Sequence, residues 1–208
     1  AKGLDVVPAF ASGLDNRPAV EAFFMRDGRA RIDALVSLTG FSLVGGPAYN
    51  DAAAAEAMLA QLDVPYLAAQ ALEFQTIEQW EAGERGLSPV EATMMVAIPE
   101  LDGATAPMVF GGRSSASGSD NVRDMRGHPE RVARLAERVE SRVSLRRTPK
   151  AERKIAVVLF NFPPNAGATG TAAFLSVYAS LLNTLKGLAA DGYAVEVPDL
   201  SLIHISEP

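Results

Sequence analysis

Between Ile32 and Ala69 the apolar pattern changes period twice, and this limits the fold more than any other feature of the chain. Ile32–Phe41 (IDALVSLTGF) is a mostly apolar run rich in branched residues and reads as a buried strand. Val44–Asn50 is a turn cluster, and Asp51–Leu62 (DAAAAEAMLAQL) supplies strong helix formers, with Asn50 or Asp51 placed to cap them. At a rise of about 1.5 Å per residue this helix is about 18 Å long. Val64–Ala69 (VPYLAA) is a second short apolar strand. Strand, helix and strand in so short a span predict a βαβ unit, hence a parallel sheet covered by helices.

The flanking text extends the alternation. Val6–Ala11 predicts a strand and Pro18–Met25 a helix ahead of the unit. Beyond it lie a short helical stretch at Thr76–Glu81 and the tetrad Ser88-Pro89-Val90-Glu91, a capping box with proline at the first helical position. Met94–Ile98 (MMVAI), closed by Pro99, predicts another strand, and Gly111–Asn121 (GGRSSASGSDN) a loop too polar to pack. Pro129–Arg147 predicts the longest helix: Val132, Leu135, Ala136, Val139 and Val143 form one apolar stripe, and Glu130 stands four residues before Arg134. A second βα unit, Ile155–Leu188, and a strand at Tyr193–Pro198 follow.

The resulting expectation is an α/β protein with two Rossmann-like or flavodoxin-like parallel-sheet lobes linked by a long amphipathic helix. That arrangement is like a periplasmic binding protein, an analogy of fold and not of chemistry. Residues 1–122 form the first lobe, and residues 123–199 the linker helix with the start of the second. The ends look cut: residue 1 is Ala, and Ser201–Pro208 (SLIHISEP) resembles a translated sequencing adapter, so residues 200–208 are expected to be foreign to the fold. Otherwise Leu202–Ile205 is a native edge strand, and in the first case His204 carries no function.

Composition removes several classes of function. The 208 residues contain no cysteine, which excludes disulfides, thiolate zinc sites and cysteine nucleophiles and suits a reducing cytoplasm. No apolar run approaches the length needed to span a bilayer, and no signal peptide is visible. Arg123–Lys154 holds 11 Lys/Arg against 5 Asp/Glu, a local +6 in a chain of −6. Such asymmetry can mark a nucleic-acid face, but the stretch lacks stacking aromatics and is read as a solvated helix, with no nucleic-acid partner.

Lys154–Leu185 lays out strand, glycine-bearing loop and helix, as in phosphate cradles. A P-loop needs G-x-x-x-x-G-K-[ST], yet Gly170 is followed by Thr171 with no lysine near. Only Gly167-x-x-Gly170 is present of a dinucleotide fingerprint. What remains is a helix start with Thr169 and Thr171 as caps. Asn161, Asn165, Thr169 and Thr171 stand beyond a strand's C-terminal end, where α/β folds place ligands.

Long strings carry a more specific signal. LTGFSLVGGPAYNDAAAAEAMLAQLDVPYLA, LEFQTIEQWEAGERGLSPVEATMMVAIPELDGATAPMVFGGR and LFNFPPNAGATGTAAFLSVYASLLNTLKGLAADGYAVEVP resemble the large porphyrin-binding subunits of the magnesium chelatase family, nearest its bacteriochlorophyll branch. The resemblance implies binding of protoporphyrin IX, with Mg2+ as the substrate ion. It also implies two AAA+ type partner subunits that hydrolyse ATP, so this chain needs no ATP site. The related cobaltochelatase large subunit shares the plan and a PELDG-like element, and is the first alternative. A non-catalytic two-lobed solute-binding module is the second. The family's His- and Glu-bearing motif lies downstream, so no catalytic residue is carried over and the piece alone is expected to be inactive. Arg113 in FGGR suits a propionate, and Glu100 with Asp102 is a carboxylate pair that reads more simply as a turn. His128 reads as a helix start, and Trp80, Phe74, Met94 and Met95 as core.

Overall fold

Regular structure begins at Arg17, where Pro18 fixes the first turn of α1 (Arg17–Phe24). Asp27 and Gly28, at φ 51° and 72°, then fold β1 (Met25–Arg26) against β2 (Arg29–Ala30), the two-residue turn that matches strand twist. The computed structural model describes residues 2–11, 13–46, 49–115, 125–159 and 177–199. The chain divides into two units, Ala1–Arg146 and Arg147–Pro208.

In the first unit the expected βαβ core is present. β3 (Leu35–Ser37) is followed by a small antiparallel pair, β4 (Gly45–Gly46) and β5 (Tyr49–Asn50). α2 (Ala52–Leu62) starts where the Asp51 carboxylate accepts the Ala54 N–H at 3.0 Å and ends at Asp63 in the left-handed region, φ 47°. Ala55, Met58 and Leu62 bury one face of α2 in a cluster with Leu35, Tyr66 and Ala68. β6 (Tyr66–Leu72) pairs parallel with β3, Leu35 opposite Tyr66.

Two helices with reciprocal capping boxes follow. Thr76 and Gln79 start α3 (Ile77–Ala82), and Ser88 and Glu91 start α4 (Pro89–Ala92). The strand expected at Met94–Ile98 is instead helix. α4 runs on through a π turn, Thr93–Ala97, into α5 (Ile98–Leu101), with the Ile98 N–H reaching back to Thr93 O. Proline explains the widening: Pro99 has no N–H to offer the carbonyl of Met95 four residues earlier. That carbonyl is taken by the side chain of Gln70, whose Nε2 donates to it from β6.

β7 (Thr105–Arg113) runs parallel to β6, and β8 (Met125–Gly127) returns antiparallel, giving the order β3-β6-β7-β8. Gly111 and Gly112, expected in a loop, lie inside β7. A Cβ on Gly112 would stand 2.6 Å from Leu72 Cβ, and one on Gly111 would meet the Arg126 carbonyl, so glycine lets three strands close up. The β6–β7 register slips twice, around Ala69 and Gln70. Gln70, 1% exposed, spans the slip: its Oε1 accepts the Met108 N–H at 2.8 Å while Nε2 also donates to Ala68 O at 3.1 Å.

α6 (Pro129–Arg147) matches its expected bounds. Val143 is buried and Leu135, Ala136 and Val139 are half-buried along the stripe, whereas Val132 at its head is 44% exposed. Arg134 reaches Glu130 at 3.3 Å and Glu137 at 3.1 Å, and Arg131 also holds Glu130, as a solvated helix face requires. The strand expected at Val6–Ala11 is in no ladder among the described residues; Val6 is 81% and Phe10 89% exposed.

The second unit contains a 3-10 turn, Lys150–Glu152, and α7 (Val177–Ala190), which covers the helical end of the βα unit expected over Ile155–Leu188 and runs two residues past it. Lys150 Nζ binds Asp191 at 2.6 Å and lies 5.9 Å from the Tyr193 ring. Gly192, at φ 92°, turns the chain out of α7. The segments expected as strands, from Ile155 and over Tyr193–Pro198, carry no ladder among the described residues. An apolar run is a strand only where a partner stands beside it.

Gln70→Leu keeps the bulk and strands the Met95 carbonyl and the Met108 N–H. It should lower stability by about 2–6 kcal/mol, read from urea unfolding, because each of the two buried orphans costs about 1–3 kcal/mol.

Candidate functional site

The C-terminal ends of β6 and β7 open onto a polar rim that α3 organises. Thr76 caps α3 just after β6, and the helix then presents Glu78 and Glu81, one turn apart, toward the end of β7 and the start of α6. Glu78 Oε1 accepts from Ser114 Oγ at 2.6 Å and from Arg126 Nη2 at 3.0 Å. Its Oε2 accepts from the N–H and the hydroxyl of Ser115, both at 3.1 Å. The Ser114 hydroxyl and the Ser115 N–H hold the Glu78 carboxyl well below the ordinary carboxylate range. One carboxylate thus fastens the residues leaving β7 to the strand β8 that returns.

Arg113, the last residue of β7, stands opposite Met125 of β8 and is half-buried. Its Nε is buried without a partner among the described residues. Arg126 beside it is engaged by Glu78, and His128 by Glu81 at 2.7 Å. A guanidinium with an unused N–H is suited to a carboxylate, which it binds in a planar fork. The other expected ligand residues, Asn161, Asn165, Thr169 and Thr171, lie outside the described residues.

The remaining candidates fall elsewhere. Asp102, 2% exposed, closes α5, and its Oδ2 accepts the Leu43 N–H at 2.9 Å, while Glu100 stays exposed; the two do not form a joint metal site. Among the described residues no group of three or more His, Asp or Glu is placed to hold a metal. His128 starts α6, as expected: its carbonyl accepts the Val132 N–H and its Nδ1 the Arg131 N–H. Met95 is core and Trp80 packs on the Leu72–Ile77–Val109 cluster, whereas Phe74, expected in the core, is 55% exposed. Phe74 lies just past the end of β6, at the rim.

Two clefts, each of about 490 Å³, lie away from this rim. One is lined by Val20, Met25, Met58 and Leu62 with Arg17 and Arg26, and the other by Leu59, Val64, Tyr66, Thr105, Asp102 and Arg142. Arg17 is already forked onto Asp15, with 2.6 Å for its shortest contact. In the second cleft burial pushes the Tyr66 phenol up, and its hydroxyl has no partner among the described residues. The sequence did not single out Glu78. The Thr76–Gln79 box locates its helix, but nothing local shows that β7 and β8 meet it.

A sequence model of the CobN/Magnesium Chelatase family matches residues 1–205. The magnesium-chelatase H subunit of Cereibacter sphaeroides is 53% identical over 95% of this chain and 18% of its own length. Its counterpart from Rhodobacter capsulatus is 51% identical over 96% of the chain and likewise 18% of its own length. The chain therefore spans under a fifth of these relatives. Among solved structures, the catalytic subunit of cobaltochelatase from Mycobacterium tuberculosis superposes with a TM-score of 0.68 at 28% identity, over 92% of this chain and 16% of that one.

Glu78 titrates below its ordinary value of 4.5 in the folded chain, so its contribution is full above that pH and is lost as pH falls from there toward the lowered value. Glu78→Gln should therefore lower the urea midpoint by a near-constant amount between about pH 8 and pH 5, with the gap to the native chain closing in acid. A gap that closes already near neutrality would contradict the clamp.

Proposed function

This chain belongs to the CobN/magnesium chelatase family, and we propose that it is a section of the porphyrin-binding large subunit of a magnesium chelatase. The parent subunit binds protoporphyrin IX and receives Mg2+ for insertion in chlorophyll or bacteriochlorophyll synthesis. The observation that carries this reading is the identity of 53% and 51% to two magnesium-chelatase H subunits, against 28% to the solved cobaltochelatase subunit. Mg2+ sheds water reluctantly and prefers oxygen ligands, so delivery to four ring nitrogens is a step to couple to ATP. Two AAA+ type partner subunits supply that hydrolysis, in keeping with the failed P-loop match in Lys154–Leu185. The compartment is the cytoplasm in a bacterial host, and no helix among the described residues is long and apolar enough to cross a membrane.

Within this reading the rim belongs to the porphyrin receptor. Arg113 pairs with a propionate there; Asn161, Asn165, Thr169 and Thr171, which lie outside the described residues, are proposed as substrate contacts on sequence grounds alone. The finer architecture, two Rossmann-like lobes linked by α6 as in a periplasmic binding protein, is part of the same proposal. It is supported by the parallel β3-β6-β7 core and by the division after Arg146. A cobaltochelatase section is the second reading, favoured by the TM-score of 0.68 to that enzyme's catalytic subunit.

The full-length parent with its two partner subunits and ATP separates them, through Mg2+ insertion into protoporphyrin IX or cobalt insertion into a corrinoid precursor. Arg113→Ala in that parent should weaken protoporphyrin binding about tenfold, as loss of a charge-assisted hydrogen bond implies. Arg113→Lys should fall between, and a porphyrin without propionates should bind both alike. Equal loss for both porphyrins would assign Arg113 to the fold rather than to the propionate.

A further inference from the structure

Arg113 has little of its own to hold it in place. Gly111 and Gly112 come before it, and neither offers a side chain for packing. A glycine pair also leaves the backbone more freedom than any other two residues. The ladder partner of Arg113 is Met125, the first residue of the three-residue strand β8. Its Nε is buried without a partner among the described residues. A long side chain on a loose stem must be ordered by its ligand, and that ordering weakens binding.

Glu78 removes the looseness from two directions. Its Oε1 accepts from Ser114 Oγ at 2.6 Å, and its Oε2 accepts the N–H and the hydroxyl of Ser115, both at 3.1 Å. The two residues that follow Arg113 are thus fastened. Oε1 also accepts from Arg126 Nη2 at 3.0 Å, and Arg126 is the residue next to Met125. One carboxylate therefore fixes the chain beside Arg113 and beside its ladder partner. The carboxylate is itself well founded, because the Thr76–Gln79 capping box starts α3 and Ile77 packs with Leu72 and Val109.

Among the described residues no bond joins Glu78 to Arg113, so its influence on that guanidinium passes through the backbone. We propose that Glu78 is a positioning residue for the substrate's carboxylate, a role that rests on the reading of Arg113 as the propionate's partner. Guanidinium and carboxylate meet in a planar fork, which rewards a fixed approach. A recognition group of this kind works when it is held within about 0.5 Å of its productive place.

Porphyrin titration of the full-length parent subunit tests this, followed by fluorescence with protoporphyrin IX and with a porphyrin without propionates. Glu78→Gln should weaken protoporphyrin binding about three- to tenfold, the cost of ordering one freed side chain, and leave the other porphyrin's binding unchanged. Ser115→Ala removes one bond of the clamp and leaves the strand in place, so it should give a smaller loss with the same dependence on propionates. In an Arg113→Ala background, Glu78→Gln should cost nothing further, because the two residues act as a unit. A loss shared by both porphyrins, or losses that add in the double variant, would overturn the proposal and leave Glu78 with the fold alone. Arg113→Ala by itself tells this failure from the other: if it does not separate the two porphyrins, the reading of Arg113 falls and the role of Glu78 falls with it.

Discussion

The side chain of Gln70 is the contact on which the first unit depends. A proline in the helix α4–α5 leaves the Met95 carbonyl without its backbone donor, and a slip in the β6–β7 register leaves the Met108 N–H without its ladder acceptor. Both orphans lie in a dry interior, where an unpaired backbone group is expensive. One primary amide, with a donor and an acceptor at its tip, satisfies them together from the middle of the sheet. An apolar residue would fill the space and strand both. The π turn, the bulge and the buried glutamine are therefore one device, which allows a proline-bearing helix to lie on a parallel sheet.

What the sequence disclosed about the fold follows a physical division. Features closed within a few residues were legible: the Asp51, Thr76 and Ser88 starts, and the 3.6-residue stripe of α6. Features that depend on a distant partner were not. MMVAI is short and apolar, which suits a strand or a buried helical turn equally, and only the helix already started at Ser88 decides between them. The glycines of FGGR signal a loop by composition, yet they mark the place where β6, β7 and β8 crowd together. At Val6–Ala11 the apolar residues are there, but among the described residues no neighbouring strand is.

The same division applies to the rim. Arg113 was visible as a cation in a glycine-flanked string, and its place at the end of a parallel strand agrees with where α/β sheets gather ligands. Glu78 was invisible, because on sequence it is one more acidic residue in the first turn of a helix. Its importance arises when Ser114, Ser115 and Arg126 converge on it, and that convergence exists only after β8 has folded back on β7. His128 lies between these cases. Its position before Pro129 announced a helix start, but the second use of its ring required α3 to arrive alongside.

Charge bears on the proposal that so local an arrangement serves a receptor for a flat apolar ring with two carboxylates. The chain carries a formal −6, so at long range it does not attract a dianion. Screening limits that repulsion to about 8 Å at physiological salt. Recognition of the carboxylates then rests on individual cations presented at contact distance, in surroundings where their competitors are already engaged. Glu78 occupies Arg126, the cation beside Arg113 on β8, while a buried N–H of the Arg113 guanidinium stays unused among the described residues. A rim with several open cations would bind any small anion. A rim with Arg126 engaged, and with the exposed Phe74 ring just past β6, favours a ligand that brings its carboxylate on an apolar body.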